Sequence, residues 1–379
     1  MIHVAIIGTG AIAPSHIKGY LQFPERCKIT AVCDPDIEKA RNTVKSFGIS
    51  ADVYSDYQEL AKLPELDLVS VCTPPYTHAP ISIDFLRQGK HVLVEKPMAS
   101  SLKECDEMIK AAEASGKILS VVAQNRFRTD LMKLKAILDK NLIGPVLHTQ
   151  VDSFWWRGHS YYDLWWRGTW EKEGGGCTLN HAVHHIDIFQ WMNGVPSEIT
   201  AVTSNTAHDN AEVEDLSIAI GRYQNGNLAQ ITSSVVHHGE EQQLIFQGKN
   251  ARVSYPWKVV ASRSKENGFP LQDAELEEKI ESVYNQLPDL EFEGHTGQIQ
   301  DVLSCIEEGR QVLVDGKQGR QTLELIMAIY HSATLQKTVS LPLAKDDPFY
   351  TRDGVMQHVP RFYEKTTSVQ GFDDNTITT

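Results

Sequence analysis

Residues 180–191, NHAVHHIDIFQW, concentrate three histidines, an asparagine and an aspartate in an otherwise apolar run. Three chemistries suit such a set: metal ligation, proton exchange with a substrate, or a core helix that tolerates polar groups. With about 3.6 residues per helical turn, Leu179, Ala182, Val183, Ile186 and Phe189 fall on one buried stripe. Asn180, His184, Asp187 and Trp191 share a second face, and His181 and His185 a third. On a continuous helix the three imidazoles therefore cannot converge. His181 and His185 have the i, i+4 spacing of a two-histidine metal site, but H-E-x-x-H is absent and no third ligand is marked by motif. That pair is expected to be solvated or partly packed, and no metal is expected.

A second signal stands at the start of the chain. IIGTGAIA places Gly8, Gly10 and Ala13 in G-x-G-x-x-A spacing between a β-branched run and a helical pattern. Glycines there permit a tight turn and bring a pyrophosphate close to free amides at a helix N-terminus, where the helix dipole favours anions. Asp34 closes the next apolar run, where a carboxylate can accept hydrogen bonds from adenosine ribose hydroxyls and would repel a 2'-phosphate. Asp34-Pro35-Asp36 also reads as a helix-capping turn. The succession of strand, glycines and acid favours a dinucleotide site, with NAD preferred to NADP.

These groups need elements to hold them. A chain of 379 residues exceeds the usual span of one core, so two domains are expected. In the first third, HVAIIG, KITAVCD, LDLVSVCTP, KHVLVEKP and KILSVVAQN alternate with helical patterns such as 37–47 and 102–115, which predicts a doubly wound parallel sheet. Ser100 or Ser101 can cap the start of the latter helix and Gly116 can end it. From about Leu147 the runs become longer and alternating, as in LHTQVDSFWW, LSIAIGRYQ, NLAQITSSVV and QQLIFQG, with Asn225-Gly226 as a hairpin turn. The expected fold is α/β: residues 1–123 form a Rossmann domain, residues 124–345 an α/β domain with a large, mostly antiparallel open sheet, and residues 346–379 a polar tail. Helical patterns at 296–309 and 319–335 either pack beside the second sheet or return to the first domain. The closing DDNTITT is expected to be disordered or to form an arm on a partner subunit.

Composition narrows the class. A formal charge of -13 without a basic cluster argues against nucleic acid, and no apolar run approaches the roughly 20 residues of a membrane span. Six scattered cysteines without a C-x-x-C pair suit reduced, buried thiols. The N-terminus opens directly on a strand-like run with no room for a leader, so a cytoplasmic protein is expected.

CTPPYTH (residues 72–78), EKPMA (95–99) and EGGGCTLNHAVHHIDIFQWMNG (173–194) complete the picture. With the glycine motif, in this order and spacing, they resemble the Gfo/Idh/MocA family of sugar and cyclitol oxidoreductases over residues 1 to about 343. The resemblance implies a nicotinamide in a cleft between two domains and cofactor contacts from Gly8, Thr9, Gly10, Ala11, Ile12, Asp34, Thr73, Pro74, Pro75, His78, Glu95, Lys96, Asn125, Trp166 and Arg167. It implies a cis peptide before Pro97, aiming Lys96 at the reacting carbon, where its ammonium would stabilise a developing alkoxide. His184 matches the family's catalytic histidine; imidazole, with an ordinary pKa near ~6.5, can take a hydroxyl proton at neutral pH. Asn180 stands where many members carry aspartate. It cannot accept a proton, so its role reduces to orienting a hydroxyl. Asp187 either orients the His184 ring or pairs with a neighbour.

Five of the seven tryptophans lie between Trp155 and Trp170. Such a cluster can stack on the apolar face of a sugar, cover a nicotinamide or form an oligomer interface. YY....WRGTW...GGG is similar to family members that oxidise C3 of nucleotide sugars or glycosides, which implies substrate contacts from Tyr161 and Arg167 beside Lys96, Asn180 and His184. The expected activity is NAD-dependent oxidation of a secondary ring hydroxyl of a sugar, glycoside, nucleotide sugar or inositol to a ketone, by a homodimer or homotetramer. Two alternatives share these residues: an NAD-dependent glycosidase that oxidises transiently and eliminates, and a non-enzymatic regulator that senses sugar and NAD.

Overall fold

The β-branched runs of the first third form parallel strands. The computed structural model describes residues 1–372, and its residues group into two units. In the first, β1 (Ile2–Ile7), β2 (Cys27–Cys33), β3 (Asp52–Tyr54), β4 (Leu68–Val71), β5 (His91–Val94) and β6 (Leu119–Val121) run in the order β3-β2-β1-β4-β5-β6, all parallel. The order reverses direction between β1 and β4, and in such sheets ligands bind outside the carboxyl ends of the strands at that switch. Val4, Ile6, Val32, Leu68 and Leu93 are buried in the core, which is why these strands read as continuous apolar runs rather than alternating ones.

Five helices connect the strands: α1 (Ala13–Tyr20), α2 (Ile37–Phe47), α3 (Tyr57–Ala61), α4 (Pro75–Arg87) and α5 (Leu102–Ser115). The caps of α5 are those its sequence predicts: Ser101 accepts from the Glu104 amide, and Gly116 ends the helix in the left-handed conformation.

The second unit is built on a nine-stranded sheet. Its strands are β7 (Val146–Phe154), β8 (Glu198–Ser204), β9 (Leu216–Arg222), β10 (Leu228–Ser234), β11 (Gln242–Gly248), β12 (Ala251–Tyr255), β13 (Lys258–Ser264), β14 (Pro270–Gln272) and β15 (Val339–Ser340). The order is β14-β13-β12-β11-β7-β10-β9-β8-β15, antiparallel throughout except for the parallel pair β7–β10. Asn225-Gly226 makes the β9–β10 turn, with Gly226 at φ 86° and its amide on the Tyr223 carbonyl. The helices are α6 (Thr129–Asp139), α7 (Cys177–Asn180), α8 (Val183–Asn193) and α9 (Ala274–Gln286), and α8 packs against β7.

Two late helices follow, α10 (Gly294–Glu308) and α11 (Gly316–Leu335), and then the short α12 (Arg352–His358). The second domain does not run unbroken from 124 to 345. Glu291–Leu323 belongs to the first unit, because Ile299, Val302 and Leu303 of α10 complete its core against Ile17 of α1. The helices touch at Gly19, where an added Cβ would stand 2.5 Å from Ile299 Cδ1. All six cysteines are free and buried. Among the described residues no helix is long and apolar enough to cross a membrane. The expectation for DDNTITT concerns residues 373–379, outside those described.

Candidate active site

The glycine loop lies between β1 and α1. Gly8 has φ +91°, and a Cβ there would stand 2.8 Å from the Cys72 carbonyl oxygen, so a side chain is excluded both by conformation and by space. Gly10 is the opposite case: an added Cβ would meet nothing within 4 Å, leaving open room at the helix start that a phosphate can approach. Ile12, the N-cap residue, contributes no capping side chain. At the end of β2, Asp34 Oδ2 accepts from the Thr9 amide (2.9 Å) and hydroxyl (2.7 Å), and Oδ1 from the Asp36 amide (3.0 Å). An ionised carboxylate offers about four acceptor positions, so a ribose hydroxyl can still be accommodated. Asp36, not Asp34, caps α2, accepting from the Glu38 and Lys39 amides. The helix-capping turn of Asp34-Pro35-Asp36 is therefore carried by Asp36, while Asp34 joins the glycine loop through Thr9. These residues fit a dinucleotide.

Thr73 and Pro74 follow β4, Pro75 opens α4, and Glu95 and Lys96 follow β5, so all stand at carboxyl ends of strands of the same sheet. His78 is fully buried, with Nδ1 2.8 Å from the Pro97 carbonyl and Nε2 2.8 Å from that of Thr73. Its role is to tie the two loops together. Burial pushes its pKa below the ordinary value, so the neutral ring donates to one carbonyl at a time. Lys96–Pro97 is cis.

Sequence reasoning missed what holds Glu95. Its Oε1 is 2.9 Å from His16 Nε2 and 3.4 Å from His295 Nε2, and its Oε2 accepts from the Lys96 amide at 3.1 Å. Burial alone would raise this carboxyl, but the two imidazoles overcome it and hold the group well below the usual carboxylate range. The three ligating atoms lie within 4.8 Å of one another, close enough to take a divalent cation. No local motif marks the trio, because α1, β5 and α10 bring it together only on folding.

In the second unit, the run that suggested one helix is broken. The His181 and Ala182 amides both reach the Cys177 carbonyl, at 3.1 and 2.9 Å, which widens the turn by a residue between α7 and α8. Faces drawn for a continuous helix therefore do not carry across it. Even so, Asn180 and His184 are the only residues between 175 and 190 that are not buried.

His181 and His185, expected to be solvated or partly packed, are instead buried, because the β7 and aromatic side chains cover them. His185 Nδ1 bonds Ser153 Oγ (2.9 Å), which also accepts from Trp155 Nε1, and His181 Nε2 lies 3.4 Å from the Tyr161 hydroxyl. Asp187 pairs with a neighbour. Its carboxylate takes a bidentate grip from buried Arg126 (2.7 and 2.8 Å), whose guanidinium also covers the Trp191 ring. Losing one member of such a pair costs about 3–5 kcal/mol.

Burial lowers the His185 and His91 pKa values to about 4. Both bind protons more readily unfolded, so their stability contribution is full above the unfolded value near ~6.5 and is lost as pH falls towards 4. Thermal unfolding should therefore show a Tm roughly 5–10 °C lower at pH 5 than at pH 8. A flat or inverted profile would contradict these burial states.

The aromatic segment completes this half. The Arg167 guanidinium lies 4.1 Å from the ring centres of both Tyr161 and Trp166, and its Nη1 donates to buried Glu173 at 2.9 Å. Glu173 also accepts from the Gly168 amide, and burial raises its pKa against the pull of Arg167. Asn180 Nδ2 donates to the Gly175 carbonyl (2.7 Å). Residues 174–176 are seated on buried Glu214, which accepts from the Gly176 and Thr178 amides and the Tyr330 hydroxyl. An added Cβ on Gly176 would overlap the Glu214 backbone, so glycine is required there. Asn125 lies in the 3-10 turn Gln124–Phe127, at the start of the second unit.

Residues 2–123 match the NAD-binding Rossmann-fold domain of the Gfo/Idh/MocA oxidoreductase family, and residues 135–341 match its C-terminal alpha/beta domain. A D-glucoside 3-dehydrogenase of Escherichia coli is 23% identical over 90% of this chain and 97% of its own. A 2,7-anhydro-N-acetylneuraminate hydratase of Mediterraneibacter gnavus is 26% identical over 66% of each. The WlbA dehydrogenase of Bordetella pertussis, solved with NADH and UDP-GlcNAcA, superposes with a TM-score of 0.77 at 27% identity, over 90% of this chain and 98% of that one. Two matched domains in the right order, carrying a dinucleotide loop built as the motif requires, establish that this chain belongs to the Gfo/Idh/MocA family of NAD-binding oxidoreductases.

Proposed function

We propose that the chain is an NAD-dependent dehydrogenase that oxidises a secondary ring hydroxyl, at C3, of a sugar, glycoside, nucleotide sugar or inositol. The observation that carries this reading is that Asn180 and His184 alone stay half-buried in an otherwise buried stretch, residues 175–190. The full-length likeness to a D-glucoside 3-dehydrogenase supports the choice of carbon and substrate class.

Lys96 hydrogen-bonds the hydroxyl and stabilises the developing alkoxide, His184 takes the hydroxyl proton, and Asn180 orients the ring. Bound NAD would supply the acceptor for the carbinol hydride, the overall change being alcohol plus NAD to ketone, NADH and a proton. Tyr161, Trp166 and Arg167 offer a flat, cationic surface to the ring. No metal is required. The test is incubation with NAD and a panel of inositols, sugars, glycosides and nucleotide sugars, following NADH and free aglycone together. NADH formed in proportion to ketone supports the reading, and no NADH from any of them refutes it.

The hydratase relative favours one second reading, a reaction with no net redox change, in which free aglycone would form without NADH. Asp34 sets the cofactor preference. Asp34→Ser should weaken NAD at least about tenfold and improve NADP, since it deletes a ribose acceptor and a repelling charge. An unchanged NAD/NADP ratio of kcat/KM would remove Asp34 from that role. We further infer a homo-oligomer formed through the outer face of the second sheet, where Val202, Ile218, Ile220 and Leu228 are exposed together.

A further inference from the structure

The segment 155–176 carries Tyr161, Trp166 and Arg167, yet contains only one short 3-10 turn, His159–Asp163. Groups that must bind a substrate in one geometry need support from elsewhere when their own backbone supplies none. Ser234, Val235 and Glu212 supply part of that support, and residues 360–369, which lie beyond the end of the family match at 341, supply more around 162–170.

Val369 pairs with Leu164 as a parallel bridge: the Trp165 amide donates to the Val369 carbonyl (2.9 Å), and the Val369 amide to the Asp163 carbonyl (2.8 Å). Trp170 Nε1 donates to the Pro360 carbonyl (3.0 Å), and Lys365 Nζ to the Tyr162 carbonyl. Asn210, only 3% exposed, joins the two segments. Its Nδ2 donates to the Thr367 carbonyl (3.0 Å), to Asp163 Oδ1 (2.8 Å) and, more weakly, to the Tyr162 carbonyl (3.3 Å). Its Oδ1 accepts from the Thr366 and Thr367 amides at 2.8 and 2.9 Å. Both faces of the amide are occupied, so no other side chain of this size reproduces the set.

We propose that residues 360–369, locked by Asn210, are a built-in part of the sugar-binding half: an irregular strap, joined by one β-bridge, that positions Tyr161, Trp166 and Arg167 and thereby sets affinity for the sugar ring. Asn210 is a positioning residue, acting through the backbone of 162–165. This rests on the dehydrogenase reading for its substrate, but its structural part does not.

The experiment compares the full-length protein with Asn210→Ala and Val369→Pro, the latter removing a single backbone amide. Hydrogen exchange of peptides covering 158–170 is measured alongside NAD affinity and, for the best sugar of the panel, KM and kcat. Expected are faster exchange in 158–170 and a sugar KM raised at least about tenfold with smaller changes in kcat and in NAD affinity. Unchanged exchange in both variants overturns the proposal whatever the substrate. Faster exchange with an unchanged sugar KM also overturns it, leaving the strap a stabilising element only. If the wild type turns over no sugar in the panel, the dehydrogenase reading fails, while exchange still decides whether the strap holds the segment.

Discussion

Lys96→Met should lower kcat by about 10²–10³-fold, more than it weakens NAD binding. A cation aimed at the oxygen where negative charge develops acts on the transition state more than on the ground state, and removing one such donor costs about 3–4 kcal/mol. Methionine keeps the length and packing of the stem and removes the charge. The loop around Lys96 should survive the exchange, because His78 ties the Pro97 and Thr73 carbonyls and Glu95 holds the Lys96 amide independently of the ammonium. Single-turnover measurement of NADH formation separates this from slow product release. A variant within threefold of wild type would remove Lys96 from the chemistry.

His184→Ala should cost about 10²–10⁴-fold in kcat, the range typical of a positioned general base. It should also change the shape of the pH profile. The wild-type kcat/KM should fall on acidification within the range ~5–8, as the base becomes protonated, and the variant should lose that limb and gain from hydroxide as pH rises. The buried His185 next to it supplies an internal comparison. Its ring is held neutral and bonded to Ser153, so His185→Gln should alter stability before it alters the acid limb. If His184→Ala keeps both rate and limb, the base lies elsewhere.

Much of this molecule is legible along the chain because its signals are local. The parallel strands announce themselves as short β-branched runs, the glycine loop as a fixed spacing, the hairpin as Asn225-Gly226, and α5 by its two caps. Each depends on residues within a turn or two of one another. Short strands such as β3 and β15 escaped, since three or two residues leave too little pattern to count. The NHAVHHIDIFQW run shows where locality ends. Periodicity places its residues on faces, but one widened turn at Cys177–Ala182 shifts the phase, and the coverage of His181 and His185 depends on Trp155 and Tyr161.

By itself, then, the sequence determined the fold class and the dinucleotide loop: spacing and side-chain type are enough to specify a tight turn between a strand and a helix. Only the tertiary structure decided how deeply each candidate site residue is buried and which partners it takes. Asp187 went to Arg126, Glu95 to His16 and His295, and His78 to two carbonyls, each through partners distant in sequence. Asn180 and His184 are left half-buried in the same run. The physical reason is that burial and hydrogen-bond satisfaction are properties of the packed interior, where a polar group must find a partner from whichever element lies opposite, and no spacing along the chain records that choice.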